Sequence, residues 1–294
     1  MTGSLTNYLA KLSALAFVFS ILASPSVGAA DREVFFWDAD GLDYEVDGSN
    51  SGCSKLTGGS IFDPNTKRNG SASLRQELRD VQHDVGCDAK MTPNGSGLYD
   101  GDSIYWTAWM KLSDDFDWGT YHKKAKFVHL KRSNERAPVY GVIYISHTGF
   151  HWEGKLISEI TYLDVDMNPR DGSCSSARIS SLQRECTEWR QYTIHMKQNS
   201  CPSCSDGIFE VFVDGVLADR VDNMSFASEV PGDGVLTYDF AWAGLGGKAY
   251  PQMCANGDSC PGIGGFIWLD DISIRVSFDG PIAVTKPLPP TGIR

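Results

Sequence analysis

The sequence lacks the features that would indicate a helical, membrane-spanning or nucleic-acid-binding protein. It shows no sustained 3.6-residue apolar repeat, and beyond its first 30 residues it has no apolar run long enough to span a bilayer. Acidic residues outnumber basic ones by 37 to 26, which leaves a formal charge of -11 and no general basic surface. We therefore expect neither a nucleic-acid partner nor a membrane partner.

Several catalytic signatures are absent as well. The chain has no G-x-S-x-G nucleophile elbow, no H-E-x-x-H zinc motif, no P-loop and no dinucleotide fingerprint. Asp164 and Asp166 alternate in "YLDVDMN", so hydrolysis by two carboxylates stays open as a minor alternative.

The segment 1–30 has the pattern of an export signal. Lys11 precedes an apolar run at 12–22, and the small residues of "ASPSVGAA" follow it. We predict that this leader is removed and that the protein is secreted as a monomer. No linker-like stretch divides the remainder, so we expect one domain over 31–280 and a C-terminal tail over 281–294.

All eight cysteines follow the predicted leader, and an even number in an exported chain indicates disulfides. Eight cysteines allow 105 pairings, and the sequence alone does not choose among them. Our hypothesis is pairing between sequence neighbours: 53–87, 174–186, 201–204 and 254–260. The C-x-x-C spacing at 201–204 also suits redox or zinc chemistry, but no second C-x-x-C accompanies it.

Short segments rich in β-branched and aromatic residues dominate the chain, and Gly, Asn, Asp, Ser and Pro clusters separate them. Clear examples are "SIYWTAWMKL", "VYGVIYISH" and "GIFEVFVDGVLADRV", the last with a predicted hairpin turn at Asp214-Gly215. This pattern predicts an all-β sandwich or jelly roll.

The last predicted strand carries an acid among apolar residues. One alternating set contains Phe266, Trp268, Asp270, Ile272, Ile274, Val276 and Phe278. A buried carboxylate needs a partner, which is a backbone donor, an arginine, or a structural calcium ion shared with Asp40 in the acidic run 37–45. We expect hydrogen bonding at Asp270, with a structural calcium ion as the alternative. We expect that the protein requires no cofactor.

Cationic residues cluster at three places in this acidic chain. In "SLRQELRD", Arg75, Glu77 and Arg79 occupy alternate positions, which predicts either an ion pair or a surface that grips anions.

In "KFVHLKR", His129 and Lys131 share one face of a predicted strand, and the simpler interpretation is a basic sheet edge. In "GLGGKAYP", Lys248 and Tyr250 lie on one side of an extended chain, where glycine lets a ligand approach closely.

These residue types suit β-elimination on a uronic-acid polymer. Removing the C5 proton builds negative charge on the adjacent carboxylate, which cationic groups must neutralise. A base must take that proton and an acid must protonate the leaving O4, and histidine and tyrosine fit those roles.

The order of "SLRQELRD", "KFVHLKR", "EWRQYTIHMKQN", "DGIFEVFVDGVLADR" and "KAYP" resembles the jelly-roll polysaccharide lyases. It is most similar to the heparin lyase I-like family, with a fainter likeness to alginate and glucuronan lyases. The resemblance spans most of 60–275. It implies a concanavalin A-like jelly roll with two antiparallel sheets, the concave one forming a cleft for an acidic polysaccharide.

The resemblance also implies roles for individual residues. Arg75 would bind the substrate carboxylate, His129 would be the base or neutraliser, and Tyr250 the acid or both acid and base. The implied substrate contacts are Arg79, Lys131 and Lys248, with Glu77 orienting the arginines. The chain departs from the family at Phe127, where an amide is usual, and in the compressed Lys-to-Tyr spacing of "KAY".

We thus expect a secreted polysaccharide lyase. The alternative is a non-catalytic, lectin-like protein of the same fold, in which exposed aromatic rings stack on sugars. Its candidate stacking residues are Trp106, Trp109, Trp118 and Trp152.

Overall fold

The structure is a computed structural model of the protein. It describes these parts of the chain: 32–46, 49–52, 56–57, 61–77, 86–87, 103–116, 125–132, 140–146, 148–154, 160–169, 174, 186–200, 204–226, 238–243 and 265–277. The predicted leader and the predicted tail lie outside these residues.

Every regular element among the described residues is a β-strand, as the residue pattern predicts. In chain order they are β1 (Arg32–Trp37), β2 (Asp43–Val46), β3 (Ser49–Gly52), β4 (Leu56–Thr57), β5 (Ile61–Asp63), β6 (Ser73–Glu77), β7 (Gly86–Cys87), β8 (Ser103–Leu112), β9 (Ala125–Arg132), β10 (Tyr140–Ser146), β11 (Gly149–Gly154), β12 (Ile160–Asp164), β13 (Arg190–Lys197), β14 (Gly207–Val213), β15 (Val216–Met224), β16 (Tyr238–Ala243) and β17 (Phe266–Ser277). Within these described ranges no helix is long and apolar enough to cross a membrane.

Ten of the described strands form the larger sheet. Its main order is β15-β14-β13-β8-β17-β1-β2-β3, with β6 paired to β17 and β5 paired to β6. Strand β8 lies near the centre, between β13 and β17, and both pairings are antiparallel. Its even-numbered residues, including Ile104, Trp106 and Met110, are buried in the core. The two-residue period of a strand therefore turns one face of this sheet inward.

Five described strands form the smaller sheet, in the order β12-β11-β10-β9-β16 and with antiparallel neighbours. Ile143, Ile145, Phe150 and Leu163 turn into the common core and are almost fully buried. The strands β4 and β7 make a separate two-stranded sheet.

The two larger sheets pack face to face. The rings of Phe150 and Tyr192, one from each sheet, lie 5.7 Å apart in the core. At one edge the backbone N–H of Asp164 donates to Asp219 Oδ2 across 2.8 Å and links β12 to β15. Burying each large apolar side chain between the sheets contributes about 2 kcal/mol of hydrophobic stabilisation. The predicted all-β sandwich of antiparallel sheets is confirmed.

A β-bulge corrects the predicted alternation of β17. The register with β8 shifts between Asp270 and Ser273, and Asp271 has a positive φ of 47°. An extra residue reverses which side chains face inward. Ile272 lies in the core, whereas Asp270 lies opposite Trp109 on the other face. The prediction that a single apolar face includes Asp270 is therefore wrong.

The predicted hairpin turn between β14 and β15 is confirmed. Asp214 and Gly215 both have positive φ, 51° and 78°, which suits the right-handed twist of the flanking strands. The Asp214 carboxylate also accepts hydrogen bonds from Arg190 and from the backbone N–H of Gln191. These bonds hold the turn against the neighbouring strand.

The predicted Cys174–Cys186 disulfide is present, with a Cα–Cα distance of 5.2 Å. Closing a loop of this size stabilises a fold by about 3 kcal/mol in the chain-entropy picture. The backbone N–H of Leu112 donates to the Cys186 carbonyl, so this loop is tied to the end of β8. Cys204 is also disulfide-bonded. The other predicted pairs include cysteines outside the described residues and stay predictions.

Candidate functional site

The face of the smaller sheet that points away from the core carries polar residues at its centre. In the pairing of β10 with β11, Tyr144 lies opposite His151 and Ser146 lies opposite Gly149. These positions alternate with the core residues Ile143 and Ile145, so they belong to the outward face. We call this surface the small-sheet face.

His129 lies in β9, the neighbour of β10, and a register shift between Ile143 and Tyr144 places Lys126 of β9 opposite Tyr144. The backbone of His129 is opposite Val142 of β10 on one side and opposite Trp242 of β16 on the other. Position 142 belongs to the same alternating set of β10 as Tyr144. For His129 and Lys131 the structure describes the backbone and not the side chain, so their chemical roles stay predictions.

The pairing of β16 with β9 brings two distant parts of the sequence together. Ala243, the last residue of β16, lies opposite Val128, one residue from His129. The segment 244–251, with Lys248 and Tyr250, follows β16 directly in the sequence. Lys248 and Tyr250 themselves lie outside the described residues.

Hydrogen bonds hold His151 on the small-sheet face. Its Nε2 lies 2.5 Å from Ser146 Oγ and 3.3 Å from Thr148 Oγ1. The two hydroxyl groups lie 3.0 Å from each other. Tyr144 is 2% exposed and His151 is 1% exposed. A buried, hydrogen-bonded imidazole has a fixed orientation, which is a common property of functional sites.

The close approach of β11 to β12 depends on Gly149. Its φ is +108°, and a Cβ atom there would lie 2.4 Å from the Leu163 carbonyl oxygen. Only glycine fits this conformation and this contact. Gly149 is therefore needed at the start of β11, two residues before His151, which lies opposite Tyr144.

Sequence analysis did not single out Tyr144, Ser146 or His151. The available signal was the pair of strand-like segments around "SHTGFH", in which a short turn with a glycine predicts a hairpin. Alternation from the apolar residues would then have placed Tyr144 and Ser146 on the outward face.

Arg75 lies in the other sheet. Strand β6 pairs with β17 and β5, and Arg75 lies opposite Trp268 and Ile61. Its guanidinium lies over the Phe266 ring, and Nη1 is 3.7 Å from Asp63 Oδ2. The roles that the resemblance implies require Arg75 and His129 to lie side by side at one site, and this expectation is wrong, because a non-local pairing assigns β6 to the larger sheet.

The partners predicted for Arg75 are only partly described. Glu77 lies opposite Phe266 in the register, and its side chain is outside the described part of the chain, as is the whole of Arg79. Asp63 is the carboxylate described beside Arg75, and it also accepts from Trp268 Nε1 at 3.0 Å. Burial raises the pKa of Asp63, but these partners together hold it below its ordinary value.

Backbone donors occupy the carboxylates predicted as metal ligands. Asp270 Oδ2 accepts from the N–H groups of Arg68 and Asn69, at 2.9 and 3.3 Å. Asp40 accepts from Ser71 and Ala72 at 2.8 and 2.9 Å. Burial raises the pKa of Asp270 to about 7.

The backbone N–H groups around Asp270 and Asp40 indicate that these carboxylates act as hydrogen-bond acceptors rather than as ligands of a metal ion. Among the described residues there is no group of three or more acidic, histidine or cysteine side chains that could hold a metal. The two carboxylates instead fix the loop between β5 and β6. A calcium ion at Asp270 and Asp40 stays a prediction.

The outward face of the larger sheet carries a separate charged network, the large-sheet network, made of Ser103, His195, Glu210 and Arg220. Nδ1 of His195 lies 2.6 Å from Glu210 Oε2, and its Nε2 lies 3.1 Å from Ser103 Oγ. Arg220 Nη1 donates to the other Glu210 oxygen at 2.6 Å. The Tyr105 ring stacks on the imidazole at 4.3 Å.

The tryptophans proposed to stack on sugars fall into different environments. Trp106 is 1% exposed in the core, so its predicted role is wrong. Trp109 lies on the outward face, and the Arg68 guanidinium sits 3.7 Å above its ring. The backbone of Trp152 is described in β11 without its side chain, and Trp118 lies outside the described residues.

No family model and no curated protein matches the sequence. Among solved structures, an endo-β-1,4-glucuronan lyase from the fungus Trichoderma reesei matches with a TM-score of 0.51 and 12% identity, covering 83% of this chain and 95% of that chain. A cellulose-induced protein matches at TM-score 0.37 and 16% identity over 76% and 87% of the two chains. An alginate lyase matches at TM-score 0.36 and 13% identity over 70% and 81%. The first match supports the predicted jelly-roll fold, and the other two scores are too low to carry an argument.

Proposed function

We propose that the protein is a secreted polysaccharide lyase that cleaves a uronic-acid polymer by β-elimination. The observation that carries this proposal is the pairing of β16 with β9. Strand β16 pairs with β9, which contains His129. The segment that contains Lys248 and Tyr250 follows β16 directly in the sequence. The strand of the candidate base thus pairs with the strand that directly precedes, in the sequence, the segment of the candidate acid.

The chemistry assigned to these residues follows from the reaction. A base removes the C5 proton, negative charge develops on the uronate carboxylate, and an acid protonates the departing O4. In this proposal His129 neutralises the carboxylate or takes the proton, Tyr250 transfers protons, and Lys131 and Lys248 contact the acidic substrate. The jelly-roll likeness to a glucuronan lyase supports the choice of fold for such a reaction.

A panel of acidic polysaccharides tests the proposal. The purified protein would be incubated with polyglucuronate, alginate and glycosaminoglycans while ultraviolet absorbance and reducing ends are followed together. We expect both signals to rise on at least one uronate polymer, because β-elimination leaves a C4–C5 double bond. New reducing ends without absorbance would indicate a hydrolase. Retention of polymer in affinity electrophoresis without shortening would indicate the lectin-like alternative. Either of these results would overturn the proposal.

A further inference from the structure

Strand β15 ends in a β-bulge that brings Asn223 to the surface. The register with β14 shifts between Gly207 and Ile208 and skips Asn223, which is therefore the extra residue of the bulge. Its φ is 64°, a left-handed conformation that asparagine adopts more readily than most residues. Asn223 is exposed, whereas the next residue, Met224, is 4% exposed and belongs to the core.

The chain that follows the bulge is held in place. Thr161 Oγ1 of the smaller sheet donates to Met224 Sδ at 3.4 Å. Two residues further, the backbone N–H of Phe226 donates to Asn199 Oδ1 across 3.0 Å, and Phe226 is buried. Because these contacts fix the backbone beside position 223, the exposure of Asn223 is a property of the fold.

The exposed asparagine also begins an acceptor triplet for N-linked glycosylation. Asn223, Met224 and Ser225 form an N-x-S triplet, which has this meaning in an exported chain. A glycan is bulky and hydrophilic, so the asparagine that carries it must lie at the surface of the folded protein. Asn223 meets this requirement in the bulge.

Two other N-x-S triplets begin at Asn69 and Asn94. Asn94 lies outside the described residues. Asn69 Nδ2 donates to Asp271 Oδ2 at 3.0 Å, so this amide already takes part in the contacts that hold the loop between β5 and β6. Among the triplets that the structure describes, the bulge therefore offers the better acceptor.

We propose that Asn223 carries an N-linked glycan when the chain passes through a eukaryotic secretory pathway. The donor is an oligosaccharide on a lipid diphosphate, and a transferase of that pathway catalyses the step. Asn223 Nδ2 forms a bond to C1 of the first sugar and loses one proton, while the C1–O bond breaks and the lipid diphosphate leaves with the bonding electrons. This inference rests on the export that is part of the proposed function and not on the lyase chemistry.

Expression of the full chain with its own leader in eukaryotic host cells tests the proposal. The secreted protein would be treated with an amidase that removes N-linked glycans and converts the asparagine that carried each glycan to aspartate. Peptide mass spectrometry would then locate the change. We expect aspartate at position 223 after the treatment and not before it, together with the loss of one glycan's mass from that peptide.

Substitutions within the triplet separate glycosylation from the backbone role of Asn223. Ser225→Ala removes the acceptor triplet and leaves Asn223 in the bulge, so the glycan should be lost, whereas Ser225→Thr should keep it. Asn223→Gly suits the positive φ and should also lose the glycan. Ser71→Ala is the matched control, because it removes the triplet at Asn69 and should leave the glycan at Asn223.

The outcomes distinguish this inference from the proposed function. An unmodified Asn223 in the secreted protein would overturn the glycosylation site and leave the lyase proposal standing. Retention of the glycan in Ser225→Ala would also overturn it. If the chain does not enter the secretory pathway, the export falls and this inference falls with it. Ultraviolet absorbance with the polymer panel decides the lyase activity separately, on protein that carries no glycan.

Discussion

The outward faces of the two sheets differ in the kind of polar network that they carry. In the large-sheet network Glu210 joins His195 to Arg220 within one sheet, and Arg220 also bonds Asp222. On the small-sheet face the His151 imidazole lies within hydrogen-bond distance of two neutral hydroxyl groups, two strands from the His129 position. A carboxylate that accepts a hydrogen bond at each of its two oxygens, as Glu210 does, mainly contributes stability.

The largest effect should come from Tyr250→Phe. This change deletes the oxygen that transfers protons in the proposed reaction, and general acid–base catalysis contributes about a factor of 10² to 10⁴. We expect a loss of that size in the rate of ultraviolet-absorbing product, with polymer binding largely retained. Cleavage at the wild-type rate would show that the assignment of Tyr250 is wrong. Tyr105→Phe on the larger sheet is the matched control and should keep the activity.

The next effect concerns stability and the large-sheet network. Glu210→Ala leaves Nδ1 of His195 and one side of Arg220 without their acceptor. An unsatisfied buried group costs about 1–3 kcal/mol. Water solvates Arg220, whose side chain is 41% exposed, so most of the cost should come from His195. Urea unfolding should show this loss, while kcat of the folded protein stays unchanged. A drop in kcat at equal folding would contradict the separation of the two faces.

The same network should make stability depend on pH. Burial raises the pKa of Glu210, but the bonds and charges of His195 and Arg220 outweigh it and hold the pKa below the ordinary value of 4.5. A carboxylate whose pKa is lower in the folded state stabilises the fold at pH values above its unfolded pKa. This contribution is lost as the pH falls through the folded-state pKa. The stability difference between wild type and Glu210→Gln should therefore be largest near neutral pH and shrink below pH 4.5. An unchanged difference across this range would exclude Glu210 as its source.

Local patterns predicted local features well. Alternation and turn residues predicted the strands and the Asp214-Gly215 turn, and pairing between sequence neighbours predicted the Cys174–Cys186 disulfide, because each depends on neighbours in the sequence. The bulge at Asp271 escaped prediction, since one residue with positive φ reverses the face of all that follow. Alternation alone therefore placed Asp270 on the wrong face.

The candidate site was less accessible from the sequence because strand pairing is non-local. The motif around Arg75 and the motif around His129 are each strand-like, and nothing in either segment reveals which sheet it joins. Pairing with β17 takes β6 into the larger sheet, whereas β10 and β16 take β9 into the smaller one. For the same reason only the register shows that Val142 lies opposite His129 and that Tyr144 lies opposite His151.

The smallest effect on activity should come from Arg75→Ala. The guanidinium lies against Phe266 and 3.7 Å from Asp63 on the larger sheet, and its side chain is 28% exposed. A partly exposed ion pair contributes about 0.2–1 kcal/mol, and the ring contact adds about 0.5–1 kcal/mol. We expect a loss of about 1 kcal/mol in urea unfolding and less than a threefold change in kcat/KM. Arg75→Lys should recover part of the stability, because lysine keeps the charge but not the planar contact with the ring. A large loss of kcat/KM at unchanged stability would restore Arg75 to the substrate-binding role that the resemblance implies, and would then require both sheets to contribute to one site.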